Sequence, residues 1–296
     1  MLQSIWQSRR YYLYLAPIFL LLGIFSYYPP LMAVLYSLTD FNGVEWDWIG
    51  LDNFARFPHD RMLRRSIGNV LKLLVGNLIT GVLPPFLVAE ILFRLRSQKA
   101  GDFFRTGFLI PTLVPVISII MTWRFIYHYR HGLINSVLND IGLEFLVHDW
   151  LGSIDTALIA LIFVNFPWVS AASMLILLAA LLDIPRELID SFMLDSNSTV
   201  RRMLKLDVPY IMGALRLVIV LSIIGTLQGL NFQLAMTGGG PAGSTMVPAY
   251  HMYGMAFFAS NYGYASAIGF TLFVLTMAMT ILTKRFLRSG FEYDPG

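Results

Sequence analysis

Long apolar blocks alternate with short polar stretches along this chain, and the blocks are too long for the interior of a water-soluble domain. A helix needs about 20 residues, at a rise of ~1.5 Å each, to cross roughly 30 Å of hydrocarbon. Blocks of that kind run from Tyr14 to Leu38, Ile67 to Phe93, Phe108 to Tyr127, Ile154 to Leu182, Tyr210 to Leu230 and Tyr262 to Phe286. They predict an all-α membrane protein of about six spans. No polar segment between them is large enough for a soluble domain, so a single transmembrane domain is expected over residues 1–296. The first block is too long for the apolar core of a signal peptide. Pro29 and Pro30 interrupt it without a small-residue cleavage site, and it reads as a retained span.

Composition agrees: 56% of residues are hydrophobic and 13% charged, against roughly half and roughly a quarter in soluble domains. Lys and Arg resist translocation, so their placement orients the spans. Arg9 and Arg10 precede the first block; Arg94, Arg96, Lys99 and Arg105 lie between the second and third. Arg186, Arg201, Arg202 and Lys205 lie between the fourth and fifth, and Lys284, Arg285 and Arg288 follow the last. Both termini are therefore expected in the cytoplasm. Arg56, Arg61, Arg64 and Arg65 run against the rule, although Asp40, Glu45, Asp47, Asp52 and Asp60 share their loop. The net charge of +3 follows from this asymmetry and gives no reason to invoke nucleic acid. Without cysteine there is no disulfide, thiolate metal site or Cys nucleophile.

Ion-coupled carriers place ionisable groups near the bilayer middle. Apart from Asp155 at the outer edge of the fourth block, Glu90 is the only carboxylate within the six blocks, and Lys72, Arg124 and Arg216 lie within snorkelling reach of an interface. No proton relay emerges, although sodium held by backbone carbonyls stays open. His59, His128, His131, His148 and His251 lack the H-E-x-x-H spacing of a metal site, and no metal ligand set is expected. GGGPAGST, Gly238 to Thr245, lacks the lysine of a phosphate-binding loop. A solute path without its own nucleotide site is either a passive channel or a pore powered by partners.

The segment Asp183 to Tyr210 is long for a bare connection. Pro185 suits a first helical turn, Glu187 and Asp190 complement the helix dipole, and Leu188, Ile189 and Phe192 form an apolar face. Asp195, Ser196, Asn197 and Ser198 break the pattern, after which Ser198 or Thr199 can cap a second helix through Val200, Met203 and Leu204. Pattern alone allows an amphipathic connector on the membrane surface equally well.

The segment resembles the EAA loop of binding-protein-dependent ABC importer permeases. Pro185, Glu187, Leu188, Asp190, Asp195 and Pro209 stand at the matching places. Ser191 and Phe192 replace the paired alanines, and Ser196 and Asn197 replace the usual Gly-Ala turn, where Asn tolerates the left-handed conformation. WIGLDNF (Trp48 to Phe54), FFRTGFLIP (Phe103 to Pro111), GLINSVL (Gly132 to Leu138), MLILLAALLDIP (Met174 to Pro185), TGGGP (Thr237 to Pro241) and YGYASA (Tyr262 to Ala267) extend the resemblance to the carbohydrate branch, in the maltose and glycerol-phosphate permease style.

The resemblance implies a type I ABC importer permease with a cytoplasmic EAA coupling helix, in the plasma membrane of a prokaryote. It implies four partners: a second, similar permease, two ATP-binding cassette ATPase subunits that hold ATP and Mg, and an extracytoplasmic solute-binding protein. TGGGP resembles the first permease of a heterodimeric pair. No cofactor or catalytic activity is expected in this chain, and the expected cargo is a carbohydrate, in particular an oligosaccharide. Coupling to the ATPase is assigned to Pro185, Glu187, Leu188, Asp190, Phe192, Asp195, Ser196 and Asn197, within a loop bounded at 183–209. A sugar path needs amides to replace water and aromatic faces for stacking, which Asn165, Trp168, Gln228, Asn231 and Gln233 supply; Asn77 serves there or between helices. Buried hydrogen bonding between helices explains these residues nearly as well. A loaded binding protein is expected against the outer loops, Gly238, Gly239, Gly240 and Pro241 included. Gly225 with Gly229, and Ala265 with Gly269, have the spacing of close helix packing.

Overall fold

The computed structural model describes residues 9–287, and the side chains of residues 14–287. Arg288 and the side chains of Arg9 and Arg10, used above for orientation, lie outside the described residues, as do both ends of the expected 1–296 domain. Among the described residues the chain is helical, with one isolated bridge between Thr39 and Trp48.

Helix α1 is continuous in three pieces, Arg9–Leu22, a π turn at Gly23–Tyr27, and Tyr28–Tyr36. Then come α2 (Arg61–Arg94), α3 (Gln98–Leu109), α4 (Val116–Ile126), α5 (Leu133–Asp140), α6 (Ala157–Phe163) and α7 (Ala171–Leu182). After these come α8 (Arg186–Asp195), α9 (Thr199–Arg202), α10 (Met212–Gln228), α11 (Pro248–Phe257) and α12 (Tyr262–Phe286), with unlabelled single turns at Asp52–Ala55 and Val208–Tyr210.

Among the described residues, four stretches are long and apolar enough to cross a bilayer: Tyr14–Tyr36, Arg61–Arg94, Met212–Thr237 and Tyr262–Phe286. The expected third span is a pair, α3 with its following turn and then α4, bent by 89°. Pro115 stands at the bend with ψ 137°, and its missing N–H cannot join the preceding helix. The expected fourth span, Ile154 to Leu182, is interrupted: α6 has 7 residues, α7 has 12, and Val164 to Ser170 between them is irregular. The multi-pass all-α class stands, but two of the expected continuous helices are broken.

The chain divides into two compact units, residues 1–61 with 251–273 and residues 62–250 with 274–296. In the first, the loop after α1 folds around Asn53, which is fully buried and donates its Nδ2 protons to the carbonyls of Ser37 (3.0 Å) and Thr39 (2.9 Å). Asp60 Oδ2 accepts from Tyr264 Oη at 2.8 Å and lies 2.7 Å from His251 Nε2, while Arg56 stacks over the Tyr264 ring at 4.4 Å. Gly269 of α12 faces Met252 of α11, where an added Cβ would approach the Met252 sulfur at 3.0 Å.

The second unit is built along α2, whose 34 residues make a rod of about 51 Å. Its first half contributes Val70, Leu73 and Leu74 to a core with Ile120, Leu161 and Leu227. Its second half contributes Phe86, Ala89 and Leu92 to another core with Met174, Leu181 and Ile211. Burying such side chains is worth about 1.5–3 kcal/mol each when the alternative is water, but within a bilayer close packing carries the contact instead. Gly76 permits one such approach, because a Cβ there would stand 2.6 Å from Ile162 Cδ1. Gly225 has no neighbour within 4 Å of an added Cβ, and Gly229 meets only its own chain, so this pair packs no helix among the described residues.

At its C-terminal end α2 carries the carboxylate Glu90. It is 4% exposed and holds Arg94 through Nε (2.9 Å) and Nη2 (2.8 Å). Arg94 Nη2 also reaches Asp207 Oδ2 at 2.9 Å, and Arg202 Nε reaches the same oxygen at 3.2 Å. Asp207 is fully buried. The cluster is neutral, with two guanidinium groups against two carboxylates, and it bolts the segment after α9 to α2. Removing one partner from a buried ion pair typically costs about 3–5 kcal/mol, whereas an exposed pair contributes about 0–1 kcal/mol. Asp207→Ala is therefore expected to lower the midpoint of thermal unfolding in detergent markedly. Asp102→Ala, which removes the exposed 3.5 Å pair with Arg105, is expected to leave that midpoint nearly unchanged.

Candidate functional site

Within the second unit a cavity of about 910 Å³ opens beside both broken spans. One wall is the break between α6 and α7. Asn165 (φ 67°) and Trp168 (φ 61°) both occupy the left-handed region, which Asn tolerates and a residue as large as Trp rarely enters. Trp168 is held there by three kinds of contact. Its backbone N–H donates to Asn165 O (2.7 Å), its indole Nε1 donates to Ile162 O (3.1 Å), and its ring meets Phe163 and Phe166 edge to face at 5.2 and 4.8 Å. Ser170 then starts α7, its Oγ accepting from Ser173 N at 3.4 Å.

The bend between α3 and α4 supplies a second wall, through Phe104, Pro111, Thr112 and Trp123. A third comes from α2, through Asn77, Thr80 and Gly81. Asn77 Nδ2 donates to Thr226 Oγ1 at 3.1 Å. Four residues further along α2 stand Pro84 and Pro85, whose missing N–H groups deprive the carbonyls of Thr80 and Gly81 of their intrahelical donors. Irregular backbone at membrane depth is tolerated only where it is buried in protein or lines a cavity. Here both interruptions and the two released carbonyl positions border the same space.

Of the residues assigned to a sugar path, Asn165, Trp168 and Gln233 line this cavity, as does Asn77. Gln228 and Asn231 are exposed and are not among its lining residues. The helix ends at Gln228 because Gly229 is extended (ψ 135°), and the π turn Gln233–Thr237 that follows starts a new face. Thr80, Thr112 and Ser170 are polar lining residues that spacing within single helices did not single out. Arg124 does not simply reach for an interface, since its Nη1 donates to Ala235 O at 3.3 Å.

Among the coupling candidates, Pro185 precedes α8 and accepts from Leu188 N at 3.1 Å. Glu187 lies in the first turn, and no residue of α8 is buried. Leu188, Ile189 and Phe192 are half-buried, whereas Glu187, Asp190, Asp195 and Asn197 are exposed. Ser196 is extended (φ −160°, ψ 127°), and Asn197 is not among the residues with positive φ, so the break between α8 and α9 is an extended step and not a left-handed turn. Ser198 caps α9, its Oγ accepting from Arg201 N at 3.3 Å. The α8–α9 pair thus stands exposed, with Met193, Leu194 and Val200 uncovered beside its carboxylates, and its far end is fixed by Asp207.

In TGGGP, Gly238 is the left-handed C-cap of the π turn (φ 59°). Gly239 (φ 80°) is buried, and a Cβ there would stand 2.6 Å from Met246 Cε. Asn69 Nδ2 donates to the carbonyls of Gly243 and Met246, both at 2.9 Å, and Arg65 Nη1 to that of Ala242 at 2.6 Å. The segment is stitched to α2. Gly238 is exposed, while Gly240 and Pro241 are half-covered.

No family model matches the chain. A probable ABC transporter permease protein of Bacillus subtilis, YurN, is 30% identical over 284 residues, covering 95% of this chain and 97% of the relative. The multiple sugar-binding transport system permease protein MsmF of Streptococcus mutans is 28% identical over 276 residues, 91% of each chain. A crystal structure of a bacterial ABC transporter involved in the import of the acidic polysaccharide alginate contains a chain of the same fold, with a TM-score of 0.84 and 20% identity over 98% of this chain and 99% of that one. A bent pair, an interrupted pair and a protruding two-helix segment on a multi-pass scaffold, together with nearly full-length likeness at that identity, make the chain a member of the ABC transporter permease family.

Proposed function

We propose that this permease forms half of the path by which an ABC importer moves a carbohydrate into the cytoplasm, driven by ATP hydrolysis in partner subunits. The observation that carries the reading is the cavity: both interruptions of the spans border it, and amides and aromatic rings line it. Carboxamides and hydroxyls exchange hydrogen bonds with sugar hydroxyls, and indole and phenyl faces accept the apolar side of a pyranose ring. The sugar transport named for the Streptococcus mutans relative supports the same cargo class.

In this reading α8 and α9 face the cytoplasm. The Lys and Arg residues at the C-terminal end of α2, through α9 and after α12 support that orientation, with both termini on the same side. The exposed carboxylates Glu187, Asp190 and Asp195 would contact an ATP-binding cassette subunit, which holds the ATP and Mg. The partner permease is a second, similar chain, and a solute-binding protein docks on the opposite face near Gly238 to Pro241. A ligand shifts a two-state equilibrium only through contacts that differ between the states, so the coupling helices must move as a rigid lever. The Asp207 cluster provides the rigid joint from that lever to α2.

Two outcomes follow. In the complete importer reconstituted in liposomes, the double variant Glu187→Lys, Asp190→Lys is expected to reduce ATP-dependent uptake by about tenfold or more. Insertion and the cavity remain intact in it, because neither carboxylate is buried; unchanged uptake would remove the lever from the proposal. Trp168→Ala is expected to cut uptake at least about tenfold at an equal level of protein in the membrane. Gln228→Ala, outside the lining, is expected to change uptake less than about twofold; equal effects of the two would dissociate the cavity from transport.

A further inference from the structure

The cavity is polar without being charged. Its lining includes three carboxamides, Asn77, Asn165 and Gln233, and three hydroxyls, Thr80, Thr112 and Ser170, but no Lys, Arg, His, Asp or Glu. The nearest cations along the chain, Lys72 beside Leu73, Arg105 beside Phe104 and Arg124 beside Trp123, are not among the lining residues. Arg124, beside lining residue Trp123, donates to Ala235 O at 3.3 Å, and Arg105, beside Phe104, pairs with Asp102 at 3.5 Å. The wall also carries Thr80 and Gly81, whose carbonyls lack an intrahelical donor because of Pro84 and Pro85. A carbonyl oxygen accepts from a hydroxyl and repels an anion.

An anionic group entering this space would lose hydration and meet no compensating charge. Even after relaxation that penalty is several kcal/mol per ion, whereas a neutral hydroxyl exchanges water for an amide or carbonyl at little net cost. The volume of about 910 Å³ lies at the upper end of the roughly 300–1,000 Å³ spanned by small-molecule sites, which suits a short oligomer better than a single sugar ring. Resting on the importer reading above, we infer that this half of the pathway selects an uncharged short oligosaccharide and rejects uronate, sulfonate and phosphate sugars. It does so at the translocation step, independently of what the binding protein delivers. The importer of the solved alginate structure takes an acidic polysaccharide, so a shared fold is expected to coexist with charged cargo in one importer and uncharged cargo in the other.

The complete importer in liposomes tests this with neutral trisaccharides built from glucose or xylose, alongside trigalacturonate and a phosphorylated trisaccharide. Affinity of each sugar for the isolated binding protein is measured in parallel, so that discrimination at the membrane is read as the ratio beyond that of binding. The expected result is ATP-dependent uptake of a neutral trisaccharide, with anionic ones disfavoured by at least about tenfold beyond their binding ratio. Thr80→Lys, or Gln233→Lys at a second position should the first misfold, is expected to narrow or reverse that ratio by supplying a counter-charge. Anionic sugars carried as well as neutral ones by the unaltered importer overturn the inference and leave the importer reading standing. ATP-dependent uptake of no sugar of either kind overturns the importer reading, and the inference with it.

Discussion

Two arginines and two carboxylates, brought together from positions more than a hundred residues apart, fix the geometry on which the second unit depends. Glu90 and Arg94 belong to one turn of α2, Arg202 is the last residue of α9, and Asp207 belongs to the turn that follows it. Hydrophobic attraction between helices is weak in lipid, where the surroundings are as apolar as the side chains. A buried charge that must be neutralised by a specific partner is a stronger constraint, because separating the partners strands both in a low-dielectric medium. The joint is also directional: Arg202, from the same stretch of chain, holds Asp207 Oδ2 in place, and sliding that stretch past α2 breaks the bond from Arg94 to this oxygen.

A second constraint governs the middle of the molecule. Every backbone N–H and C=O in the bilayer needs a partner, and the two interruptions leave several without helical ones. The structure answers with local pairs, such as Trp168 N to Asn165 O and Trp168 Nε1 to Ile162 O, and residues of both interruptions line one cavity. The cavity and the broken helices thus occur together, as irregular backbone at membrane depth requires.

The apolar blocks made the membrane class legible, since uninterrupted hydrophobic runs have no other physical use at that length. They did not reveal which blocks are continuous. Pro115 and Pro167 were visible, but a proline in a span is tolerated as often as it breaks a helix, and tertiary contacts decide. Asn165, Trp168 and Gln233 were legible as polar or amphipathic side chains at depth. Gln228 and Asn231 have the same chemistry and were grouped with them, because the rotation introduced by Gly229 is a backbone event that residue type does not encode. Glu90 could be recognised as unusual, but its partner Asp207 is remote in sequence and only folding discloses it. The left-handed turn implied at Ser196 and Asn197 is replaced by an extended step, since neither residue is a glycine and nothing forces positive φ there.

Gly76 lies behind the cavity wall and is not one of its lining residues, yet the missing methyl group there lets Ile162, which does line it, sit back against α2. The calibre of the cavity is therefore set partly by a residue outside its lining, and a larger side chain at position 76 would push Ile162 inward without touching the lining amides.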